Sequence, residues 1–470
     1  MIRQFLQIMS TVLVSALCSL PCASQTYTTG TSYPLIVVAN GPGDQSDPHV
    51  SGHYAVYTDA QGNTTNTIKY FDFANQTTGI VPQGAGVLDS LSDVSGGSIV
   101  FTRVDLNTGS SAIYSYPIGG TLAEVAPVAI PLRRNPAVGG PTIAWEDSGV
   151  STDAYPELVV DSGGTVTQLS SDLPADQNPS VSPDGSTVVW EKCAASCDVY
   201  AAVKAGSSWN VSQITNTAAN ETSPDTNGTI VVYASDANGS SHVHFRLVSG
   251  GPDQTITMPP GWVYENHPAI AGNFIAFEAA DGVQTDLWVY DMSAGTLRQI
   301  TNTAANEMLA DVSSSTTGGT TTITVVWQVT LNDTNVYATQ FQGTPATPFS
   351  AFSAKVVADV NQNAFAITGS FKLGTGSNGI APLTETVQLQ VGSYSTTIPA
   401  GSFASNGLKG FQFIDIANNF AMAIQPIGTT YIFAAAKKGS TPGPGPSTNV
   451  MLAIGDDSGT VSAPVFWLSK

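Results

Sequence analysis

At 470 residues the chain exceeds one ordinary domain, and it is 42% hydrophobic but only 11% charged, with 45 Gly and 28 Pro. That composition excludes a mainly helical protein and describes many short strands joined by turns. Acidic residues outnumber basic ones 35 to 15, a formal charge of −20, so nucleic acid and anionic membrane surfaces are not expected partners.

The first segment reads as a secretory signal over residues 1–24. Arg3 supplies the positive start, Ile8 to Leu17 a short apolar core, and Cys22, Ala23 and Ser24 the small residues before cleavage near Gln25. The core is too short to span a bilayer, and no later run of about 20 apolar residues occurs. An exported chain, periplasmic or secreted and without membrane insertion after cleavage, is expected.

Internal repetition dominates the chain beyond this segment. QITNTAANE occurs at Gln213–Glu221 and again, unchanged, at Gln299–Glu307. The offset is twice a period in the 40–45 range of a four-stranded propeller blade. Units open at Pro48, Asp93, Pro136, Pro179, Pro224, Pro268 and Asp311. Each runs through a Gly-containing turn into an apolar strand ending in an aromatic: Tyr57, Phe101, Trp145, Trp190, Tyr233, Phe277 and Trp327. Short β-branched and aromatic runs between Gly, Asp and Asn clusters are strands. The segment Leu35 to Val38 precedes the first unit and is expected to complete the seventh, closing the ring.

Ser182-Pro183-Asp184-Gly185 followed by Val188-Val189-Trp190, and later Gln213-Ile214-Thr215, resembles the repeat of TolB and its periplasmic relatives. The resemblance implies a seven-bladed β-propeller over residues 33–343. It implies no particular activity, because such folds host many functions.

Beyond Thr347-Pro348 the period disappears and alternation at period two takes over. Val387, Leu389 and Val391 form one strand, Phe365, Ile367 and Phe371 another, and Phe411, Phe413 and Ile416 a third. A β-sandwich over residues 349–470, immunoglobulin-like and similar to an accessory domain of exported bacterial proteins, is expected. The fold class is therefore all-β, a seven-bladed propeller followed by a sandwich.

Cys193 and Cys197, separated by Ala-Ala-Ser between two strands, read as a disulfide in an oxidising compartment. Glu191 and Asp198 are hard oxygen donors that match thiolates poorly, so no metal site is read there. His242 and His244 alternate on one strand and read as a solvated or hydrogen-bonded pair. His49 and His267 both flank a blade-opening Pro and are candidates to line equivalent positions around the axis. Asp59, Asp147 and Asp236, with Asp281 slightly later, recur after the second strand and are candidate ring carboxylates or turn caps. No cofactor is expected, calcium on those carboxylates being the one alternative. Asp359-x-Asn361-x-Asn363 has Ala364 where a calcium loop needs Gly, and is rejected as one.

No GxSxG motif occurs and no α/β-hydrolase segment follows the propeller. The expectation is a monomeric, non-catalytic binding or scaffold protein that presents its propeller to a protein, peptide or glycan. The rival is a propeller hydrolase or lyase acting on extracellular polysaccharide, with His49, His267 and the ring carboxylates as its site.

Overall fold

The computed structural model describes residues 26–28 and 33–468, less 62–64, 130, 151–154, 172–173, 251–252, 294, 318–319, 331, 344–346, 376, 378, 384, 393, 399–400, 407–409, 444 and 456. The signal segment expected at 1–24 lies outside the described residues. Among the described residues two compact units are present, residues 27–291 with 296–345, and residues 346–468 with 292–295.

The larger unit is a TolB-like propeller of seven antiparallel blades of four strands each, with Thr26–Thr28 added as a fifth strand at the outer edge of blade six. Innermost strands are Asp44–Ser51, Val87–Ser95, Arg133–Gly139, Ala175–Val181, Glu221–Thr226, Tyr264–Ala271 and Glu307–Thr317. Each touches the next around the axis, and the last touches the first. The aromatics that end the second strands, from Tyr57 to Trp327, are all at most 3% exposed. They fill apolar seams between neighbouring blades, which is why those strands are apolar on both faces.

Ring closure takes the expected form. Ile36–Ala39 pairs antiparallel with Thr334–Gln342 as the outer strand of blade seven. Val38 enters the seam that joins Val326, Val336 and Ala338 to Val50, Tyr57 and Phe71 of blade one.

Every innermost strand carries a bulge at the same place. The bulged residues are Asp47, Leu91, Asn135, Asn178, Ser223, His267 and Leu309, all at φ between 43° and 56°. That left-handed conformation is unfavourable for Leu, so the surroundings must hold it. Five bulge N–H groups donate to a side chain on the second strand of the preceding blade: Asp47 to Gln328, Asn135 to Thr102, Asn178 to Glu146, Ser223 to Glu191 and Leu309 to Glu278.

The bulge also corrects the unit boundaries. Asp93 and Asp311 are equivalent to His49 and not to Pro48, because each stands two residues past its bulge. Asp93 accepts from the Val138 N–H, Asp225 from Ile270 and Asp311 from Val50, each bond at 2.6 to 2.7 Å and each joining one blade to the next. The bond from Val50 to Asp311 crosses the closing seam.

The nonapeptide repeat has a structural cause. Thr217 and Thr303 donate to Glu221 and Glu307 and cap the Ala219 and Ala305 N–H groups. Thr215 and Thr301 accept from the Val199 and Leu287 N–H groups, at 2.8 Å each. Each polar side chain satisfies a backbone or carboxylate group, so both copies retain it.

In the smaller unit one continuous sheet curls around a single core, giving sandwich-like packing. Asp457–Leu468 joins the two halves. Its first part runs antiparallel to Ser447–Ile454, and Val465 to Leu468 run parallel to Val356 to Asp359. Val387, Leu389, Val391, Phe365, Ile367 and Phe371 all face the core. Ile416 does not: it follows the strand Phe411–Asp415 in a turn and is 81% exposed. Asp359 caps the Asn361 and Gln362 N–H groups.

Deleting residues 33–39 is expected to cost about 3 kcal/mol, one buried valine with a short hydrogen-bonded edge. The midpoint should fall by roughly 5 °C in scanning calorimetry, and an unchanged melt would show that the strand does not close the ring.

Candidate functional site

Two residues before each bulge stands a buried polar side chain: Gln45, Asp89, Arg133, Asp176, Glu221, Glu265 and Glu307. Buried polar groups need partners. In blades one to five the partner is fourteen residues on, on the second strand of the same blade. Gln45 bonds Asp59, Asp89 bonds Arg103, Arg133 bonds Asp147, Asp176 bonds Trp190 and Glu221 bonds Ser235.

Blades six and seven depart from this rule: Glu307 faces Val329 and takes Thr303, and the position opposite Glu265 is Ala279. The Glu265 carboxylate reaches into blade five instead. Its Oε2 accepts from His242 Nδ1 at 2.7 Å and from the Val243 N–H at 3.4 Å. On the far side of the imidazole, His242 Nε2 lies 3.0 Å from Ser240 Oγ. A carboxylate can only accept, so the imidazole proton sits on Nδ1, and Nε2 is left to accept from the Ser240 hydroxyl. Serine, imidazole and buried carboxylate stand in the order that activates a hydroxyl nucleophile.

Local chemistry holds the serine in place. Gly239, at φ +88°, turns the chain into the strand His242–Leu247, a conformation that needs Gly. The Gly239 N–H donates to the Asp236 carbonyl at 2.9 Å. Asp236 is anchored by Asn220, whose N–H and side-chain amide donate to its carboxylate at 2.7 and 2.8 Å. Those bonds keep the Asp236 carboxyl below its ordinary value. On the other side, the Glu265 N–H donates to the Ser241 carbonyl at 2.9 Å, tying the two blades together at the site. Burial raises the Glu265 carboxyl above its ordinary value, against the opposing pull of His242 and the Val243 N–H.

Of the residues singled out from the sequence, His242 and Asp236 fall within this site and the others elsewhere. His49 stands past the bulge of blade one on the axis, with its Nδ1 3.6 Å from Asp311 and 3.8 Å from Asp93, and its Nε2 3.8 Å from Asp47. Its side chain is 39% exposed. Burial opposes its charge, yet Asp311, Asp47 and Asp93 raise its pKa well above the usual value. His267 is a bulge residue bonded to Glu278, so it matches Asp47 and not His49. Asp59 pairs with Lys69 at 2.5 Å and with Gln45, and Asp147 pairs with Arg133 and caps Gly149, all within their own blades. Asp281 caps the Val283 and Gln284 N–H groups. His244 bonds Asp253, which also accepts from Tyr233. Glu191, Cys193 and Cys197 bring three ligand atoms within 4.8 Å of one another at the end of the hairpin of blade four.

Sequence reasoning missed Ser240 and Glu265 and read His242 only with His244. Laying the blades over one another at their bulges would have exposed the signal, a buried Glu facing an alanine.

No family model matches the chain, and no curated protein matches it. Among solved structures, the β-propeller domain of the Trilobed protease from Pyrococcus furiosus is similar over 65% of this chain and 95% of that one, with 10% identity and a TM-score of 0.48. An acylaminoacyl peptidase from Pyrococcus horikoshii is similar over 70% of this chain and 57% of that one, with 13% identity and a TM-score of 0.48. TolB from Acinetobacter baumannii is similar over 62% of this chain and 81% of that one, with 16% identity and a TM-score of 0.36. The chain thus spans little more than half the length of the acylaminoacyl peptidase.

These likenesses concern the fold. They nevertheless correct the expectation of a non-catalytic binding or scaffold protein, because several solved structures with such propellers are peptidases. The missing GxSxG motif was no ground for that expectation. A serine–histidine–acid array is defined by geometry and recurs on unrelated folds in any chain order.

The axial cluster has a measurable signature. Burial lifts the Asp93 carboxyl to about 6 from 3.8, against His49 and the Val138 N–H, with Asp311 adding repulsion. A carboxyl raised on folding costs nothing while it is protonated in both states, and the cost grows as pH climbs from about 4 to about 6. His49, raised in the folded state, stabilises below pH 6.5 and loses that effect as pH rises through its higher folded value. Stability should therefore fall by about 3 kcal/mol between pH 4 and 7 on account of Asp93. In Asp93→Asn that fall, read as midpoint against pH, should be clearly smaller.

Proposed function

We propose that this chain is an exported hydrolase that acts on ester or amide carbonyls through Ser240, with His242 as general base and acid and Glu265 as its orienting carboxylate. The observation that carries this reading is the continuous array of Ser240 Oγ, His242 Nε2 at 3.0 Å, His242 Nδ1 and Glu265 Oε2 at 2.7 Å. It is built where one blade departs from the pairing that the preceding five keep.

The chemistry follows from the array. Ser240 Oγ attacks the carbonyl carbon while its proton passes to His242 Nε2. The bond to the leaving alcohol or amine then breaks, and His242 returns the proton to that group. Water, deprotonated by the same nitrogen, attacks the acyl-serine and releases the acid, regenerating the hydroxyl. Glu265 stays ionised throughout and stabilises the imidazolium. The Ser241 N–H follows the nucleophile in the chain, where an oxyanion donor commonly stands.

Export rests on the leader-like segment at residues 1–24 and on a disulfide between Cys193 and Cys197, which suits an oxidising compartment. The smaller unit serves, in this reading, as an immunoglobulin-like accessory domain.

A fluorophosphonate probe on the purified chain, with intact mass and peptide mapping, tests the site. Labelling is expected at Ser240, and it should vanish in Ser240→Ala and in His242→Ala. Glu265→Gln should lower kcat by about 100-fold or more with KM little changed. Hydrolysis at the wild-type rate in Ser240→Ala would end this reading.

A further inference from the structure

We infer that the outer face of the smaller unit's sheet docks on an anionic lipid surface. The inference concerns that unit alone and does not depend on the hydrolase reading of Ser240.

Alternation defines the face. Val356, Phe365, Ala435, Met422 and Val465 point into the core, so their neighbours along each strand point outward. Strand register then sets six outward residues side by side across six strands. Phe466 stands beside Val357, Val357 beside Ala366, Ala366 beside Ala436, Ala436 beside Ala421, and Ala421 beside Ile414. At about 4.8 Å between strands the row is about 24 Å wide, and every side chain in it is apolar. Its two ends are bulky and stand in water, Phe466 at 55% and Ile414 at 37% exposure. Ile432, four residues from Ala436 on the same strand and face, is also exposed. Apolar residues scattered singly over a surface need no explanation, but a row in register is a patch.

Charge indicates what covers it. Of the 35 acidic residues 30 precede residue 346, with nine of the fifteen basic ones, so the rest of the chain holds five acidic and six basic. The acidity that argues against anionic membranes therefore belongs to the propeller. On the outward face the balance is reversed. Lys355, Lys372 and Lys438 are exposed there, in the same alternation as Val357, Ala366 and Ala436. Asp359 shares that alternation, but it is buried and already holds the Asn361 and Gln362 N–H groups. Asp415 and Asp457 alternate the other way, opposite to Ile414 and Phe466.

An apolar plane edged with lysines suits the boundary between headgroups and acyl chains. Each lysine can lay its stem along the plane while its ammonium reaches a headgroup phosphate. The same residues argue against a protein partner. Lysine is depleted in protein interfaces, which centre on large anchors seated in pockets. The centre here is Val357 and three alanines, and a fluid surface needs no anchor. A second copy meeting this face with its own would bring like charges together.

The test is cosedimentation of the full chain with phosphatidylcholine vesicles, pure or containing about one third phosphatidylglycerol. Binding is expected to the anionic vesicles at low salt, with a decline as salt rises. Lys355→Ala, Lys372→Ala and Lys438→Ala should each weaken it about five-fold, and Phe466→Ser about ten-fold. All four positions are exposed, and melting curves matching wild type establish that the variants are folded. The variants retain residues 1–24, so binding through that apolar segment would not change in them. Absence of binding to the anionic vesicles, or binding that none of the four variants weakens, overturns the inference. A wild-type dimer in sedimentation velocity that Phe466→Ser dissociates would assign the face to a second copy and overturn it equally.

Discussion

A carboxylate on the innermost strand of one blade accepts the backbone N–H of the next, and the rest of the propeller depends on that contact. Asp93, Asp225 and Asp311 each make it, and Asp311 makes it across the seam where the ring closes on Val50. Beside it, a bulge held at positive φ donates its own N–H backwards to the preceding blade. At the seams between blades two and three and between blades seven and one, neighbouring blades are thus tied by both bonds. Further out, the buried aromatics of the second strands carry the hydrophobic share. The outer strand Ile36–Ala39 joins the two ends of the unit, so that blade seven cannot form without residues from its beginning.

A repeat of this strictness makes its exceptions informative. Buried polar residues before the bulge are costly unless paired, and five successive blades pair them internally across fourteen residues. Ala279 removes that partner in blade six, and the displaced carboxylate finds the imidazole of His242 in the neighbouring blade. The result is a polar chain that ends on a hydroxyl, Ser240, at a seam between blades. A seam suits a site because two rigid blades hold the groups while a loop supplies the hydroxyl. The axial cluster around His49 differs in kind. Its carboxylates already hold backbone N–H groups, so their first task is to fasten blades.

Much of this was legible in the residues. The period, the aromatic ending each second strand, the closing strand and the core of the second unit, from Phe365 to Leu389, follow from spacing and alternation, which are local properties. Other points were not. Pro48 and Asp93 look like one position in the repeat although they differ by one residue, because an extra bulge residue is invisible in a spacing that already varies. Alternation places Ile416 in a strand, but it falls in the turn beyond. The recurring Asp59, Asp147 and Asp236 repeat because each has a local partner, Lys69, Arg133 and Asn220. Recurrence in sequence therefore did not mean convergence in space.

The amino-acid sequence by itself determined the all-β class, seven blades, the strand that closes them and the presence of a second β unit. These depend on hydrophobic periodicity and turn residues, which act over a few positions. Only the tertiary structure decided that Ser240, His242 and Glu265 share one site and that Glu265 turns away from its own blade. Those relations join residues on different blades, and the distance between two side chains is set by how blades pack, which no spacing along the chain encodes.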